Sequence, residues 1–403
     1  MLMRYCAHRP SESQLVRGHP RSVQWRLCAG MARRYNAGMT LENLPHIQRR
    51  KTRPVKVGSV MLGSDAPVAV QSMTNTTTAD VDATVAQVQR LVEVGADLVR
   101  VAAATKADTA VLAEVIAQSP VPIIADVHFH FERALEAIEA GVAKIRLNPG
   151  NIGDYNQVQR VIDAAGQAGC AIRVGVNEGS VVDRIDANRR AQDLSKPLDA
   201  LMVEKLGEYL EIFERAGFTD LVLSAKSHDA LTTIAANRTL ARLYDYPIHL
   251  GVTHAGTAAR GAIRSAAAIG TLLAEGIGDT IRISYAGDPV AEVRTACELL
   301  ASLRLRPRRG IELIACPTCG RTQVDIASVA DAVGAALAEV TVPLTVAVMG
   351  CVVNGPGEAD GADVAVCAGK GKAMLYVRGK QVGVVPDEQI VSAVVAEVHK
   401  LIG

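Results

Sequence analysis

Residues 144–151 read Lys144-Ile145-Arg146-Leu147-Asn148-Pro149-Gly150-Asn151, and residues 171–177 read Ala171-Ile172-Arg173-Val174-Gly175-Val176-Asn177. Each is a short run rich in branched aliphatic residues that finishes in polar, turn-forming ones, as a strand buried on both faces does. Comparable runs occupy 68–71, 98–101, 121–125, 220–224, 247–251 and 280–284. Helical patterns separate them: Val81, Val85, Val88 and Val92 recur at helical spacing, and Gly95 stands where that helix closes. Gly141, Gly169 and Gly217 are placed to end later helices in the same way. Eight strands alternating with helices predict an α/β fold, a parallel (β/α)8 TIM barrel over residues 46–305. An open doubly wound sheet is the competing fold; the strand number and the lack of a Gly-x-Gly-x-x-Gly after the first strand weigh against it.

Beyond the barrel, Arg304, Arg306, Arg308 and Arg309 crowd a boundary stretch. Residues 306–403 then hold strand-like runs at 311–315, 344–348, 363–367, 373–377 and 381–385, and an amphipathic helix over 387–401, which together predict a smaller α+β domain. A length of 403 residues suits one barrel of about 250 residues plus such a domain. Hydrophobic residues make up 49% but aromatics only 3%, so the core must be Val, Ile, Leu and Ala. With 43 basic and 42 acidic side chains there is no global field to attract nucleic acid or a membrane surface. No run reaches the roughly 18–20 apolar residues of a membrane span, and eight cysteines in a chain this long do not form a secreted disulfide scaffold. Residues 1–45 read as an extension without fixed structure. Their Arg4, Arg9, Arg17, Arg21, Arg26, Arg33 and Arg34, with Glu12 the lone acid of the first forty, also resemble a transit peptide.

In a parallel barrel, function gathers where the strands end. Here they end in Gln71-Ser72-Met73-Thr74, Arg100, Asp126-Val127-His128, Arg146 and Asn148, Arg173 and Asn177, Lys226, Thr253-His254, and Arg282 and Ser284. Side chains two apart on a strand share a face, so Arg146 goes with Asn148, Arg173 with Asn177 and Arg282 with Ser284, while Ile145, Leu147, Ile281 and Ile283 turn toward the helices. Each basic residue alone reads as a salt-bridge partner. Together they form a convergence of like charge that calls for an anion, and guanidinium forks suit phosphate. Sugar phosphates, pterins and diphosphates all fit that description. The stretch Thr253-His254-Ala255-Gly256-Thr257 opens a helix and offers backbone N–H groups to the same ligand.

The second domain opens with Cys316-Pro317-Thr318-Cys319-Gly320 and later carries Gly350-Cys351-Val352-Val353-Asn354-Gly355-Pro356-Gly357-Glu358. A redox Cys-x-x-Cys pair would leave Cys351 unexplained. A zinc site would want a fourth ligand, and Cys367 sits in a strand-like run suited to core packing. An iron–sulfur cluster held by Cys316, Cys319 and Cys351, with Glu358 as an unusual fourth ligand, accounts for all the pieces. Cys170 and Cys297 read as small hydrophobes.

Residues from about Arg49 to the C-terminus resemble the 4-hydroxy-3-methylbut-2-en-1-yl diphosphate synthase family in its bacterial two-domain form. The motifs that carry the likeness are Gln71-Ser72-Met73-Thr74, residues 144–151, residues 173–177, Cys316-Pro317-Thr318-Cys319-Gly320-Arg321 and residues 350–358. The resemblance implies reduction of 2-C-methyl-D-erythritol 2,4-cyclodiphosphate, with ring opening and loss of water, to an allylic diphosphate. Electrons would come singly from flavodoxin or ferredoxin. It implies a [4Fe-4S] cluster on Cys316, Cys319, Cys351 and Glu358, whose fourth iron meets the substrate. Arg100, Arg146, Asn148, Arg173, Lys226, Arg282 and Ser284 would hold the diphosphate, and Asn354 would face the substrate from the cluster side. It also implies a homodimer in which one subunit's cluster domain caps the other's barrel. A cytoplasmic location follows from the lack of a signal or span and from a cluster that needs a reducing compartment. Two positions depart from the family: His254 stands where it usually carries Glu, which makes an imidazole the candidate proton donor, and Tyr285 replaces an aliphatic residue. A pterin-type barrel transferase with a structural zinc domain, and a catalytically impaired cluster-binding paralogue, are the alternatives.

Overall fold

The computed structural model describes residues 46–63, 65–127, 130–147, 155–182, 187–353 and 355–403. The expectation for residues 1–45 lies outside them. Contacts divide the described chain into two compact units, His46–Gly310 with Thr341–Pro343, and Ile311–Val340 with Leu344–Gly403.

The first unit opens with a hairpin, β1 (Val55–Val57) and β2 (Val60–Leu62). Eight parallel strands follow: β3 (Ala69–Met73), β4 (Leu98–Ala102), β5 (Ile123–Asp126), β6 (Lys144–Leu147), β7 (Ala171–Asn177), β8 (Leu221–Lys226), β9 (His249–Leu250) and β10 (Thr280–Ile281). They pair in chain order, β10 pairs with both β3 and β9, and a bridge from Leu223 to Ile248 joins β8 to the start of β9. That ring is the (β/α)8 barrel. Gly95, Gly141, Gly169 and Gly217 all take positive φ at the ends of their helices, the left-handed conformation an L side chain avoids.

Strands nine and ten are shorter than their apolar runs suggested. Beyond Leu250 and Ile281 the backbone still touches its neighbours, through Arg282 N to Leu250 O (2.9 Å) and Thr253 N to Ser227 O (3.1 Å), but without a regular ladder. Arg282 and Ser284 therefore stand on a loop above the strand.

Alternation along the strands sorts the interior. Ile145, Leu147, Ile281 and Ile283 join the large cluster shared with the helices. The opposite face starts apolar: Ala69, Leu98, Ile124, Ala171 and Val222, all near strand starts, pack on Val55, Val57 and Leu62 of the hairpin. The hairpin thus plugs the N-terminal end of the barrel and frees the other end to be polar. Leu62 is fully buried there. We expect Leu62→Ala to destabilise the chain by about 2–5 kcal/mol, read as a lower denaturant midpoint, because barrel walls cannot collapse into the void.

The second unit is one sheet, ordered β11 (Ile311–Ala315), β12 (Leu344–Met349), β13 (Val364–Ala368), β14 (Lys372–Val377), β15 (Lys380–Pro386). The first three strands are parallel and the last three form antiparallel pairs. Val346 and Val348 pack with Val333, Val394 and Val398 of two helices, Ile326–Ala336 and Ile390–Ile402. Their neighbours Ala347 and Met349 pack with Ala359 and Ala362 on the other face. The final helix starts three residues later than its periodicity suggested, after a 3-10 turn at Asp387–Gln389.

Candidate active site

Above its apolar floor, the barrel interior is built of charge. Arg100, Arg146, Arg173 and Lys226 are buried side chains on β4, β6, β7 and β8, with Lys226 the last residue of its strand, and Arg282 joins them with its side chain 19% exposed. Asp126 spans two of them, its Oδ2 3.7 Å from Arg100 Nε and its Oδ1 3.7 Å from Arg146 Nη1. Met73 Sδ lies 3.0 Å from Arg100 Nη2. Arg282 Nη2 is 3.6 Å from Glu292 Oε2, and Glu292, on the helix Pro289–Ser302, is fixed by accepting from Tyr285 N at 2.8 Å. Lys226 Nζ lies 3.0 Å from His249 Nε2. One layer lower, Lys144 is fully buried, and its Nζ has no hydrogen-bond partner among the described residues.

Among the described residues, two carboxylates thus face four guanidiniums and two amines. Burial, followed by the Arg173 charge, pushes the pKa of both Lys144 and Lys226 well down. Burial also pushes Arg282 down to about 10 and lowers Arg173, with Arg100 the next cause. Guanidiniums nevertheless keep their protons in a protein, so the strain falls on the lysines and on the empty barrel's stability. Buried polar atoms of Gln71, Thr74, Arg173 and Arg282 also lack partners among the described residues. Such groups are costly unless something polar and negatively charged meets them.

Of the residues expected at this site, the structure brings together Arg100, Arg146, Arg173, Lys226 and Arg282. Ser284 stands beside them with its hydroxyl donating to Val252 O at 3.1 Å. Asn148 lies outside the described residues, as does His128. His254 is exposed at the rim, with φ +52° and Nδ1 3.2 Å from Thr253 Oγ1. A non-glycine residue held there costs about 1–2 kcal/mol, a conformation that loops keep where a side chain must be aimed. The helix after this loop, Ala258–Ser265, has Thr257 at its N-cap with no side-chain cap bond.

Sequence reasoning named Asp126 at a strand end without giving it a role, and did not single out Lys144, His249 or Glu292. Strand alternation could have found Lys144 and His249, since each shares a face with a cation already chosen or with a strand end. Glu292 carried no such signal, because its helix reaches the barrel interior only through packing.

In the second unit, parallel pairing of β11 with β12 sets Ala315 opposite Val348. Cys316 and Cys351, just past the ends of these strands, therefore emerge at the same edge. Cys316 N donates to Val348 O (3.2 Å), and Gly350 N donates to Cys316 Sγ (3.1 Å). Cys319 is exposed, and the backbone N–H of Arg321 is the first of the groups lowering its thiol pKa. Backbone N–H groups aimed at sulfur stabilise thiolates, the form that binds iron. Cys367 is different: burial, then Cys351 and Cys316, push its thiol up to about 11, as befits a core residue in place of a fourth zinc ligand. Glu358 ends the short helix Gly355–Glu358, its side chain lying outside the described residues along with Asn354. Among the described residues no three His, Cys, Asp or Glu side chains are arranged around a single metal ion. A cubane asks for something else, one ligand for each of several irons, and the donor set of exposed and half-exposed thiols with N–H support fits that demand.

The family model described as the GcpE TIM-barrel domain matches residues 52–297, and that of the GcpE protein C-terminal domain matches residues 312–400. A protein of Corynebacterium diphtheriae named 4-hydroxy-3-methylbut-2-en-1-yl diphosphate synthase (flavodoxin) is 48% identical over 354 residues, 88% of this chain and 89% of its own length. Proteins of the same name from Nocardia farcinica and Cutibacterium acnes are 47% and 46% identical, covering 88% and 91% of this chain and 90% and 95% of their own lengths.

Proposed function

The chain belongs to the 4-hydroxy-3-methylbut-2-en-1-yl diphosphate synthase family, and from that premise we propose how its residues divide the family's work. It is an iron–sulfur oxidoreductase of the non-mevalonate isoprenoid pathway, opening and dehydrating a cyclic diphosphate by reduction. Residues 46–305 bind the substrate, 2-C-methyl-D-erythritol 2,4-cyclodiphosphate, and residues 306–403 hold a [4Fe-4S] cluster. Flavodoxin, the donor in the relatives' printed name, supplies the electrons.

The excess of buried cations in the barrel is the observation that carries this division. Arg100, Arg146, Arg173, Lys226 and Arg282 take the diphosphate oxygens, with Asn148 and Ser284 beside them. Asp126 and Glu292 hold three of the guanidiniums in place between turnovers. Cys316, Cys319 and Cys351 with Glu358 hold the cluster, which when bound supplies single electrons and an iron open to an oxygen ligand. Asn354 orients the substrate from the cluster side. His254 on its strained turn delivers a proton to the departing oxygen. The chain acts in the cytoplasm as a homodimer. Among the described residues no helix is long and apolar enough to cross a membrane.

Anaerobic purification with iron, sulfide and zinc analysis, followed by turnover with a strong one-electron reductant, tests the whole reading. About four irons and four sulfides per chain with allylic diphosphate formed supports it; zinc without iron would sink it, and sedimentation that gives a monomer removes the dimer. His254→Ala should lower kcat by about a hundredfold with KM nearly unchanged. His254→Glu should restore much of that rate, because a carboxylic acid at the same position can also deliver a proton.

A further inference from the structure

We propose that His249 and Gly251 form a seat that aims the Lys226 ammonium at the substrate, which makes His249 a positioning residue of this enzyme. This rests on the reading of Lys226 as a diphosphate ligand.

Lys226 ends β8, and its side chain leans across the barrel onto the next strand. There His249 Nε2 lies 3.0 Å from Lys226 Nζ. His249 is fully buried, and its Nδ1 has no partner among the described residues. Burial, with Lys226 as the next cause, holds its pKa well below the ordinary imidazole range. The ring is therefore neutral, and with its proton on Nδ1 it offers Nε2 as acceptor to the ammonium. Two residues on, and so on the same face, Gly251 leaves the slot that Lys226 fills. A Cβ added there would lie 2.7 Å from Nζ and 3.0 Å from Cε.

No carboxylate could take His249's place without cancelling the charge meant for the ligand. Among the described residues, the charges that lower the Lys226 pKa most are those of Arg173, Arg100, Arg282 and Arg146, while Asp126 and Glu292 sit with Arg100, Arg146 and Arg282. A neutral acceptor satisfies one ammonium hydrogen, keeps the full positive charge and leaves the other hydrogens for phosphate oxygens. An apolar side chain would pack beneath the ring at less cost to stability.

The test is the calorimetric Kd of the oxidised holoenzyme for the cyclic diphosphate, without reductant, across about pH 6 to 10. Each phosphorus of that ligand carries one ester bond and one anhydride bond, and its single remaining hydroxyl titrates only in acid, so pH acts on the protein. His249→Leu should weaken binding roughly tenfold, the effect of one hydrogen bond to a charged group. It should also move the alkaline limb of binding to lower pH, because Nε2 favours the protonated amine. His249→Gln, whose amide oxygen can accept, should recover most of both. Gly251→Ala, which displaces Nζ and keeps the imidazole, should weaken binding as well. Folding of each variant is followed by thermal melting. If Lys226→Met binds as tightly as the parent, the diphosphate-ligand reading itself fails. If Lys226→Met weakens binding while folded His249→Leu and Gly251→Ala do not, or if His249→Gln rescues nothing, the seat is overturned and the ligand role stands.

Discussion

Arg173→Met should raise the Kd for the cyclic diphosphate by at least about thirtyfold while making the ligand-free protein more resistant to heat. The two effects have opposite signs and one cause. Arg173 is 3% exposed inside the barrel, its Nη1 is unpartnered among the described residues, and its nearest charged neighbours include Arg100 and Arg146. With no ligand, a buried guanidinium among like charges is a cost, and an apolar side chain of similar length relieves it. With the diphosphate present, the same group makes charge-assisted hydrogen bonds where water is excluded. Truncating one member of such a pair costs about 2–5 kcal/mol. Calorimetry and thermal melting on the same preparation check both halves. A variant that melts lower and binds normally would make Arg173 a structural residue, and the anion site would have to move elsewhere.

Cys351→Ser should abolish turnover and remove most iron and acid-labile sulfide from the anaerobically purified chain, while leaving the barrel folded. Losing a group that merely supports a metal ligand costs about 10–100-fold in affinity or activity; losing a ligand should cost more. Cys351 lies just past β12, whose pairing with the edge strand β11 also places Cys316, so the substitution leaves both strands intact. Cys367→Ser is the contrast. Its thiol is packed in the core with Ala347, Met349 and Ala365, so that change should cost stability and spare the iron. If Cys367→Ser empties the chain of metal and Cys351→Ser does not, the ligand assignment is wrong. Visible absorption and iron analysis read the outcome directly.

Much of this site was legible because strand periodicity is strict. A period of two tells which residues of 144–147 and 171–177 share a face, and parallel barrels place their chemistry where strands end. Arg146 could be chosen from that alone; Arg173, the third of seven residues in β7, is set level with it by the β6–β7 register. The cysteine spacing carried its own chemistry, since few uses other than a cluster need a pair of thiols with two residues between them and a third in a Gly-Pro turn. The length of β9 and β10 was not legible, because an apolar run states that residues are buried without stating how long their neighbours keep a ladder.

The alternation of strands and helices, the barrel that follows from it, the row of basic residues along the strands and the cysteine pattern can all be read from the chain alone. These are local properties, set by side-chain type and spacing along one chain segment. Folding adds that the β1–β2 hairpin plugs the barrel floor, that Asp126 serves two arginines at once, that Glu292 reaches in from a helix to Arg282, and that Lys226 rests on His249. Each of those pairings joins separate elements: Asp126 and Lys226 meet partners on the neighbouring strands, and Glu292 meets Arg282 from the following helix. Strand register, stagger and helix packing fix which side chains meet, quantities that no single segment carries.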